Sequence, residues 1–148
     1  MGGCEVRRAE SEDLEPASEL LESSGLPLDG FADHLKDAVV ATRGGRIVGV
    51  VELEVYGKTA LLRSLVVAPS ERGMRLGERL TADALSLARD RGARDVYLLT
   101  ETAERFFPRF GFTAEDRERA PEAVRQSQEF RTACPASAVM MHARLTSA

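Results

Sequence analysis

Apolar positions recur along this chain with two alternating periods, one of strands and one of helices. Cys4 to Arg8 reads as a short first strand. Leu14, Ala17, Leu20 and Leu21 then recur at the spacing of one helix face. Ser11 is the candidate N-cap, with acids in the first turn. Ser23-Ser24-Gly25 followed by Pro27 ends the helix. A second short helix is predicted over Phe31 to Lys36. Ala38 to Thr42, Ile47 to Val55 and Thr59 to Val67 follow as strands, separated by the turns Arg43-Gly44-Gly45-Arg46 and Tyr56-Gly57-Lys58. These three strands are predicted to form an antiparallel meander.

Ala68-Pro69-Ser70 stops the third strand, and Glu71 to Gly77 is a glycine-containing turn. A long helix then runs to about Arg91, with Leu76, Leu80, Ala84, Leu87 and Ala88 on one face and Gly92 as its C-terminal stop. Asp95 to Leu99 is a strand rich in Val, Tyr and Leu. Thr102 to Arg109 is predicted as a short helix stopped at Gly111, and Phe112-Thr113 starts another strand. Ala114 to Gln126 is polar and charged, and Ala138 to Leu145 is the last strand. The alternation predicts an α+β (mixed α/β) fold.

The chain has 148 residues, the length of one domain spanning 1–148. Hydrophobic residues make up 43% and charged residues 30%, a balance that excludes wholesale disorder. No uncharged run reaches the length of a membrane-spanning helix, and Met1 to Glu10 lacks the apolar core of a secretory signal. A cytoplasmic protein is expected. The net charge of −4 argues against nucleic-acid binding. Cys4 and Cys134, with His34 and His142, lack the spacing of a disulfide framework or a metal site, so no metal is expected.

The informative segment is Ser64-Leu65-Val66-Val67-Ala68-Pro69-Ser70-Glu71-Arg72-Gly73-Met74-Arg75-Leu76-Gly77. A hydrophobic strand runs into a basic, glycine-bearing loop, and the loop runs into a helix start. Free N–H groups of the first helical turn, together with the helix dipole, make an anion site. Arg72 and Arg75 add positive charge, and Gly73 and Gly77 let a ligand approach the backbone. The segment lacks the Gly-Lys-Ser/Thr ending of an ATP-binding loop and the three spaced glycines of a dinucleotide fold.

On these residues the chain resembles the GNAT family of N-acetyltransferases. The family's phosphate loop reads Gln/Arg-x-x-Gly-x-Gly/Ala, and here Arg72 and Gly77 hold the outer positions while Arg75 replaces the middle glycine. Its second segment reads Asn-x-x-Ala-x-x-x-Tyr-x-x-x-Gly-Phe, met here by Thr100, Ala103, Phe107, Gly111 and Phe112. The resemblance implies a GNAT-like fold with a central, mostly antiparallel sheet of about six or seven strands flanked by helices. It implies acetyl-CoA as co-substrate, a small-molecule amine as acceptor, and leaves room for a homodimer. It places the cofactor on Leu65, Val66, Val67, Arg72, Gly73, Met74, Arg75, Leu76, Gly77, Glu78, Thr100, Phe106 and Phe107. A narrower similarity is to the arsenic-resistance branch of the family. It is carried by Leu98-Leu99-Thr100, Phe106-Phe107, Gln128-Glu129-Phe130 and Cys134-Pro135-Ala136-Ser137-Ala138.

Acetyl transfer from a thioester needs a held pantetheine arm, a deprotonated amine, an oxyanion donor and a stabilised leaving thiolate. The family template makes the Val67 N–H the oxyanion donor. Its usual tyrosine acid is Phe107 here, so the thiolate leaves unaided or through Cys134, Ser137 or Tyr97. Phe107 and Arg75 keep open a second reading, a catalytically silent acyl-CoA-binding module. Glu52 and Glu54 share one face of the central strand and are the candidate bases. Their plain reading is a solvated strand face. Arg63 and Ser64, with Glu129 and Cys134, are the candidate acceptor-binding residues, Arg63 suiting an oxyanion on the acceptor.

Overall fold

The computed structural model describes residues 3–73, 75–127, 129–133 and 137–145. Its elements are β1 (Glu5–Arg8), α1 (Leu14–Ser23), β2 (Ala38–Arg43), β3 (Arg46–Tyr56), β4 (Thr59–Val67), α2 (Leu76–Asp90), β5 (Asp95–Thr100), β6 (Thr113–Glu115), α3 (Glu122–Arg125) and β7 (Val139–Arg144). The strands form one sheet in the order β1-β2-β3-β4-β5-β7-β6. Every pairing is antiparallel except that of β4 with β5. The expected mostly antiparallel sheet flanked by helices is therefore present. No helix among the described residues is long and apolar enough to cross a membrane.

The two helix faces explain the layers. Leu80, Ala84, Leu87 and Ala88 of α2 pack on Val51, Leu53, Ala60 and Leu62. Gly49 makes that approach possible, since a Cβ there would lie 2.8 Å from Leu80 Cδ1. On the other face, Ala17 and Leu21 of α1 and the nearby Phe31 cover Val40, Val50 and Val66. Farther along that face, Ala120 and Val124 cover Leu61, Tyr97, Leu99 and Met140. The polar stretch after β6 is thus anchored by a few buried apolar side chains. Because both faces of β3 are covered, Val48 to Glu54 is buried throughout.

Two local expectations are corrected. Ser11 does not cap α1. Glu10 and Asp13 form a reciprocal capping box, with Glu10 N–H donating to Asp13 Oδ2 at 2.7 Å. Arg7 holds the same carboxylate through two bonds of 2.7 and 3.0 Å. The helix expected over Thr102 to Arg109 shrinks to a 3-10 turn, Phe107–Phe110. Pro108 supplies no N–H to extend it, and Gly111 turns left-handed at φ 91°.

The start of α2 is unusual. Its N-cap, Arg75, sits in the left-handed region at φ 60° and makes no side-chain cap. The close approach of Cβ to the following carbonyl oxygen makes that conformation cost about 1 kcal/mol for an ordinary residue and almost nothing for glycine. Arg75→Gly should therefore raise the melting temperature by about 1–3 °C, a modest net gain after the extra freedom of glycine in the unfolded chain. Thermal unfolding of the two proteins checks it, and a lower melting temperature would show that the Arg75 side chain stabilises the loop.

Candidate active site

The parallel pairing of β4 and β5 covers only Thr59↔Asp95, Ala60↔Val96 and Leu61↔Tyr97. Beyond Tyr97, β5 stays paired with β7 up to Thr100. Strand β4 instead follows β3, where the register shifts between Val50↔Val66 and Glu52↔Arg63, giving β4 an extra residue. Ser64, in this stretch, has φ 61°. A bulge of this kind bends a strand and strengthens its twist. The result is a cleft between β4 and β5. Ala68 N–H donates to Val48 O at 2.8 Å, toward β3. Alternation along the strand turns the Val67 N–H the other way, into the cleft.

At the α2 end the cleft opens into a groove of about 300 Å³ between Val67, Arg72, Gly73, Arg75, Gly77 and Phe106. The first intrahelical bond reaching back to the cap is Arg79 N–H to Arg75 O at 3.1 Å. With no capping side chain, the N–H groups just before it are left at the groove, where an anion would satisfy them. Gly77 keeps the groove open. A Cβ there would touch the Phe106 ring at 3.6 Å and Val67 Cγ2 at 3.9 Å, filling the space between them. The loop is tied down by buried Glu71, which accepts bonds of 3.0 and 2.9 Å from Arg43 Nε. Glu78 pairs with Arg109 at 2.6 Å, and Arg109 lies over the Phe106 ring at 5.0 Å. These residues fit a pyrophosphate with a narrow arm running past Phe106 toward Val67.

Deeper along the cleft lies a cavity of about 380 Å³. One wall is Arg63, Ser64 and Leu65 of β4; the other is Leu99, Thr100 and Phe107. Gly25 to Pro27, Glu101 and Glu129 close it. Phe107 is buried against Phe106 and Phe112 and gives the cavity an apolar side. Glu129 begins a π-helical turn, Glu129–Ala133. That turn is set by Ser127, whose Oγ donates to Val124 O at 2.6 Å and accepts from Phe130 N–H at 3.1 Å.

Arg63 is the hub of the cavity wall, and its side chain is fully buried. Nη1 donates to Glu54 Oε2 at 2.9 Å, Nε to Ser64 Oγ at 3.1 Å and Nη2 to Pro27 O at 3.4 Å. Glu129 Oε1 and Glu52 Oε1 stand 3.6 and 3.8 Å from Nε. Burial alone would lower the Arg63 pKa, but Glu129, Glu54 and Glu52 outweigh it and hold the guanidinium charged. Behind it, the Tyr56 hydroxyl donates to Glu54 Oε1, and His34 Nε2 is 3.7 Å from the same oxygen. Burial, then that hydrogen bond, pushes the Tyr56 hydroxyl well above the usual phenol range. Both oxygens of Glu52 are buried without a hydrogen-bond partner. Burial raises its pKa to about 9, reinforced by the charges of Glu54 and Glu129 and only partly opposed by Arg63.

Residues 5–112 match the family described as Acetyltransferase (GNAT). The chain belongs to the GNAT acetyltransferase family. Two curated relatives exceed 30% identity. Glucosamine 6-phosphate N-acetyltransferase from Trypanosoma brucei brucei is 31% identical, over 77% of this chain and 92% of that protein. Aminoalkylphosphonate N-acetyltransferase from Salmonella typhimurium is 33% identical, over 74% and 84%. The fold matches N-acetylglutamate synthase from Neisseria gonorrhoeae, solved with coenzyme A and N-acetyl-glutamate, at a TM-score of 0.83 and 21% identity. That match covers 99% of this chain but only 36% of the longer synthase. It also matches a Mycobacterium tuberculosis protein solved with CoA, at a TM-score of 0.82 and 22% identity over 96% and 99% of the two chains. The activity is acetyl-CoA-dependent N-acetyl transfer.

In this GNAT fold the residues expected from sequence separate into three places. Val67, Arg72, Gly73, Arg75, Leu76, Gly77, Glu78 and Phe106 surround the groove. Leu65, Thr100 and Phe107, with Arg63, Ser64 and Glu129, line the deeper cavity instead. The Val66 side chain lies in the core under α1 and reaches neither. Met74 and Cys134 fall outside the described residues. Tyr97 stacks on His142 at 4.4 Å and does not line the cavity. Ser137 donates to Glu101 Oε2 at 3.2 Å at the rim.

The plain reading of Glu52 and Glu54 as a solvated face is overturned, because they are 0% and 1% exposed. The half-buried sheet assumed for them does not exist once α1 and the chain around Phe31 cover that side. Arg63 is likewise not a free anion receptor, since it is surrounded by carboxylates. Tyr56 and His34 were missed, and nothing in their spacing signals a shared partner. Glu101 could have been found, because it directly follows Thr100 of the second family segment.

The buried Glu52 carries a pH signature. Its carboxyl titrates near 4.5 when exposed and at about 9 in the fold, so the folded chain holds a proton that the unfolded chain has lost. Its contribution to stability is therefore complete below about pH 4.5 and is lost as pH rises toward 9. Glu52→Gln, which keeps the neutral shape, should flatten that descent in thermal melts taken from pH 5 to 9. An unchanged slope would show that Glu52 is ionised in the fold.

Proposed function

We propose that residues 1–148 form one cytoplasmic N-acetyltransferase domain acting on the amine of a small molecule. The observation that carries this reading is the recessed cavity beside Arg63, Ser64 and Leu65 of β4, the strand whose Val67 lines the groove. A cavity of about 380 Å³ suits a small acceptor better than a peptide laid across a surface. The two curated relatives are named for small amines, which agrees with it.

Acetyl-CoA supplies the acetyl group as a thioester. The α2 N-terminus and Arg72 bind its pyrophosphate, while Leu65 and Val67 offer the cleft edge to the pantetheine arm. The Val67 N–H donates to the carbonyl oxygen and strengthens its bond as negative charge grows there. Phe107 gives no proton, so the leaving sulfur relies on backbone dipoles in an apolar surround. Glu52 and Glu54 act through Arg63, holding it in the cavity wall, and are positioning residues in this scheme.

The similarity to the arsenic-resistance branch suggests a role in resistance to toxic compounds. Acetylation removes both the charge and the nucleophilicity of an amine, which is a direct route to inactivating one. The C-terminal segment carrying that similarity packs beside the cavity through Phe130 and Glu129.

The decisive experiment is a screen of amines and amino acids with acetyl-CoA, reading free thiol. Acceptor-dependent thiol release is expected for small amines, and release only with basic peptides would overturn the reading. Gly77→Ala places one methyl in the groove and should raise the KM for acetyl-CoA several-fold with little loss of stability. Gly77→Val adds two further carbons against Phe106 and Val67 and should raise it by about 10²-fold, near 2.7 kcal/mol. Equal KM values in all three proteins would place the arm elsewhere.

A further inference from the structure

Ser64 stands apart in the cavity wall both in its backbone and in its hydrogen bonding. Among the described residues only Ser64 and Arg75 hold a left-handed φ without being glycine, and Ser64 has φ 61°. That conformation strains any residue with a Cβ, whereas glycine adopts it freely. A strained residue kept in a site points to a side chain that is used there. The Ser64 oxygen is already engaged, since Arg63 Nε donates to Oγ at 3.1 Å. Nε accepts nothing, so Oγ is the acceptor of that bond and still has its own hydrogen to give. Accepting from a cation polarises the hydroxyl and makes it a stronger donor. That hydrogen has no acceptor among the described residues. The facing wall repeats the pattern. Thr100 Oγ1 accepts from Ala103 N–H at 3.0 Å, which leaves a second hydroxyl hydrogen uncommitted. The two acids of the lining are engaged, Glu129 beside Arg63 at 3.6 Å and Glu101 with the Ser137 hydroxyl at 3.2 Å. Much of the remaining lining is apolar, with Leu26, Leu62, Leu65, Leu99, Phe107 and Ala138.

Resting on the small-amine reading above, we infer that Ser64 is a specificity-determining residue whose hydroxyl donates to a hydroxyl or carbonyl oxygen of the acceptor. The cavity therefore selects oxygen-bearing amines over alkylamines of the same size. A donor set among apolar side chains is left unpaired when an alkyl group takes the place of that oxygen, and a site built to hydrogen-bond an oxygen rejects the analogue that lacks it. Arg63 is the positioning residue in this arrangement. Its Nε fixes the rotation of the Ser64 side chain, and its own place is fixed by Glu54 and Pro27 O. Ser64 precedes Val67 by three residues on β4 and lines the cavity, while Val67 lines the groove. The contact is thus made on the acceptor side of the cleft and orients the amine without holding acetyl-CoA. Ser64 binds and orients, and no proton passes through it.

The test compares matched acceptors on the full chain with saturating acetyl-CoA, each rate referred to the unprotonated amine. The pairs are ethanolamine with n-propylamine and glycinamide with isobutylamine, alike in size and free of anionic groups. In each pair the oxygen-bearing member should have a kcat/KM higher by about tenfold or more. Ser64→Ala should bring the two members within about twofold of each other. The change should come from a higher KM for the oxygen-bearing member, with the alkylamine and the KM for acetyl-CoA within about twofold of wild type. Ser64→Gly, which also relaxes the backbone, should lose the same discrimination. Discrimination that survives in both variants, or an equal loss for both members of a pair, would overturn the role of the Ser64 hydroxyl. Equal or better use of the alkylamines by the wild type would overturn the selection while leaving the small-amine reading intact. That comparison decides even if the Ser64 variants do not fold. Turnover of none of the small amines, with acetyl-CoA bound, would overturn the small-amine reading and this inference with it.

Discussion

The separation of β4 from β5 after Leu61 and Tyr97 is the constraint on which the site depends. In a parallel pair that continued, the Val67 N–H would be consumed by the neighbouring strand, and no ligand could use it. The separation is bought by the extra residue of β4 at Ser64 and by the firm pairing of β5 with β7. Strand β5 keeps a continuous ladder with β7, and β4 stays paired with β3 on both sides of its bulge, so the unpaired edges cost little. The buried layers on both faces hold the two halves apart. The cleft is thus a stable feature of the sheet rather than a local opening of it.

Arg63 ties together segments distant in the chain. It joins β3 through Glu52 and Glu54, the turn after α1 through Pro27 O, and the C-terminal segment through Glu129. Burying a guanidinium is expensive unless its donors are met, and here the surrounding carboxyls and a carbonyl meet them. The arrangement gives the cavity wall one geometry, because each neighbour loses a contact if Arg63 moves. It also sets the electrostatic character of the wall, since acids outnumber the base.

At the other end of the cleft, the groove is built mainly from backbone. Helix α2 begins without a side-chain cap, and Gly77 leaves a gap between Val67 and Phe106. Side chains contribute by fixing this backbone: Glu71 is clasped by Arg43, and Arg109 joins Glu78 to the Phe106 ring. Arg75 holds the left-handed position that glycine occupies in the family loop, so the loop keeps its path at the cost of backbone strain. Main-chain donors held by a rigid surround suit a ligand whose phosphates need many N–H contacts and little shape discrimination.

Strand and helix periodicity, the turns at Gly44-Gly45 and Gly57, and the loop from Arg72 to Gly77 were legible because each is a local property of a few neighbouring residues. The two motifs in order were enough to indicate the family and its co-substrate. The burial of Glu52 and Glu54 was not legible. Alternation gives the face on which a side chain lies, but whether that face meets water depends on α1 and the chain around Phe31, which pack there from elsewhere. For the same reason Arg63 looked free in one dimension and is surrounded in three. The sequence by itself determined the elements, the basic glycine-bearing loop from Arg72 to Gly77 and the strand that leads into it. Only the tertiary structure decided which acids converge on Arg63, because that convergence is made by contacts between residues up to 66 positions apart in the chain, from Arg63 to Glu129.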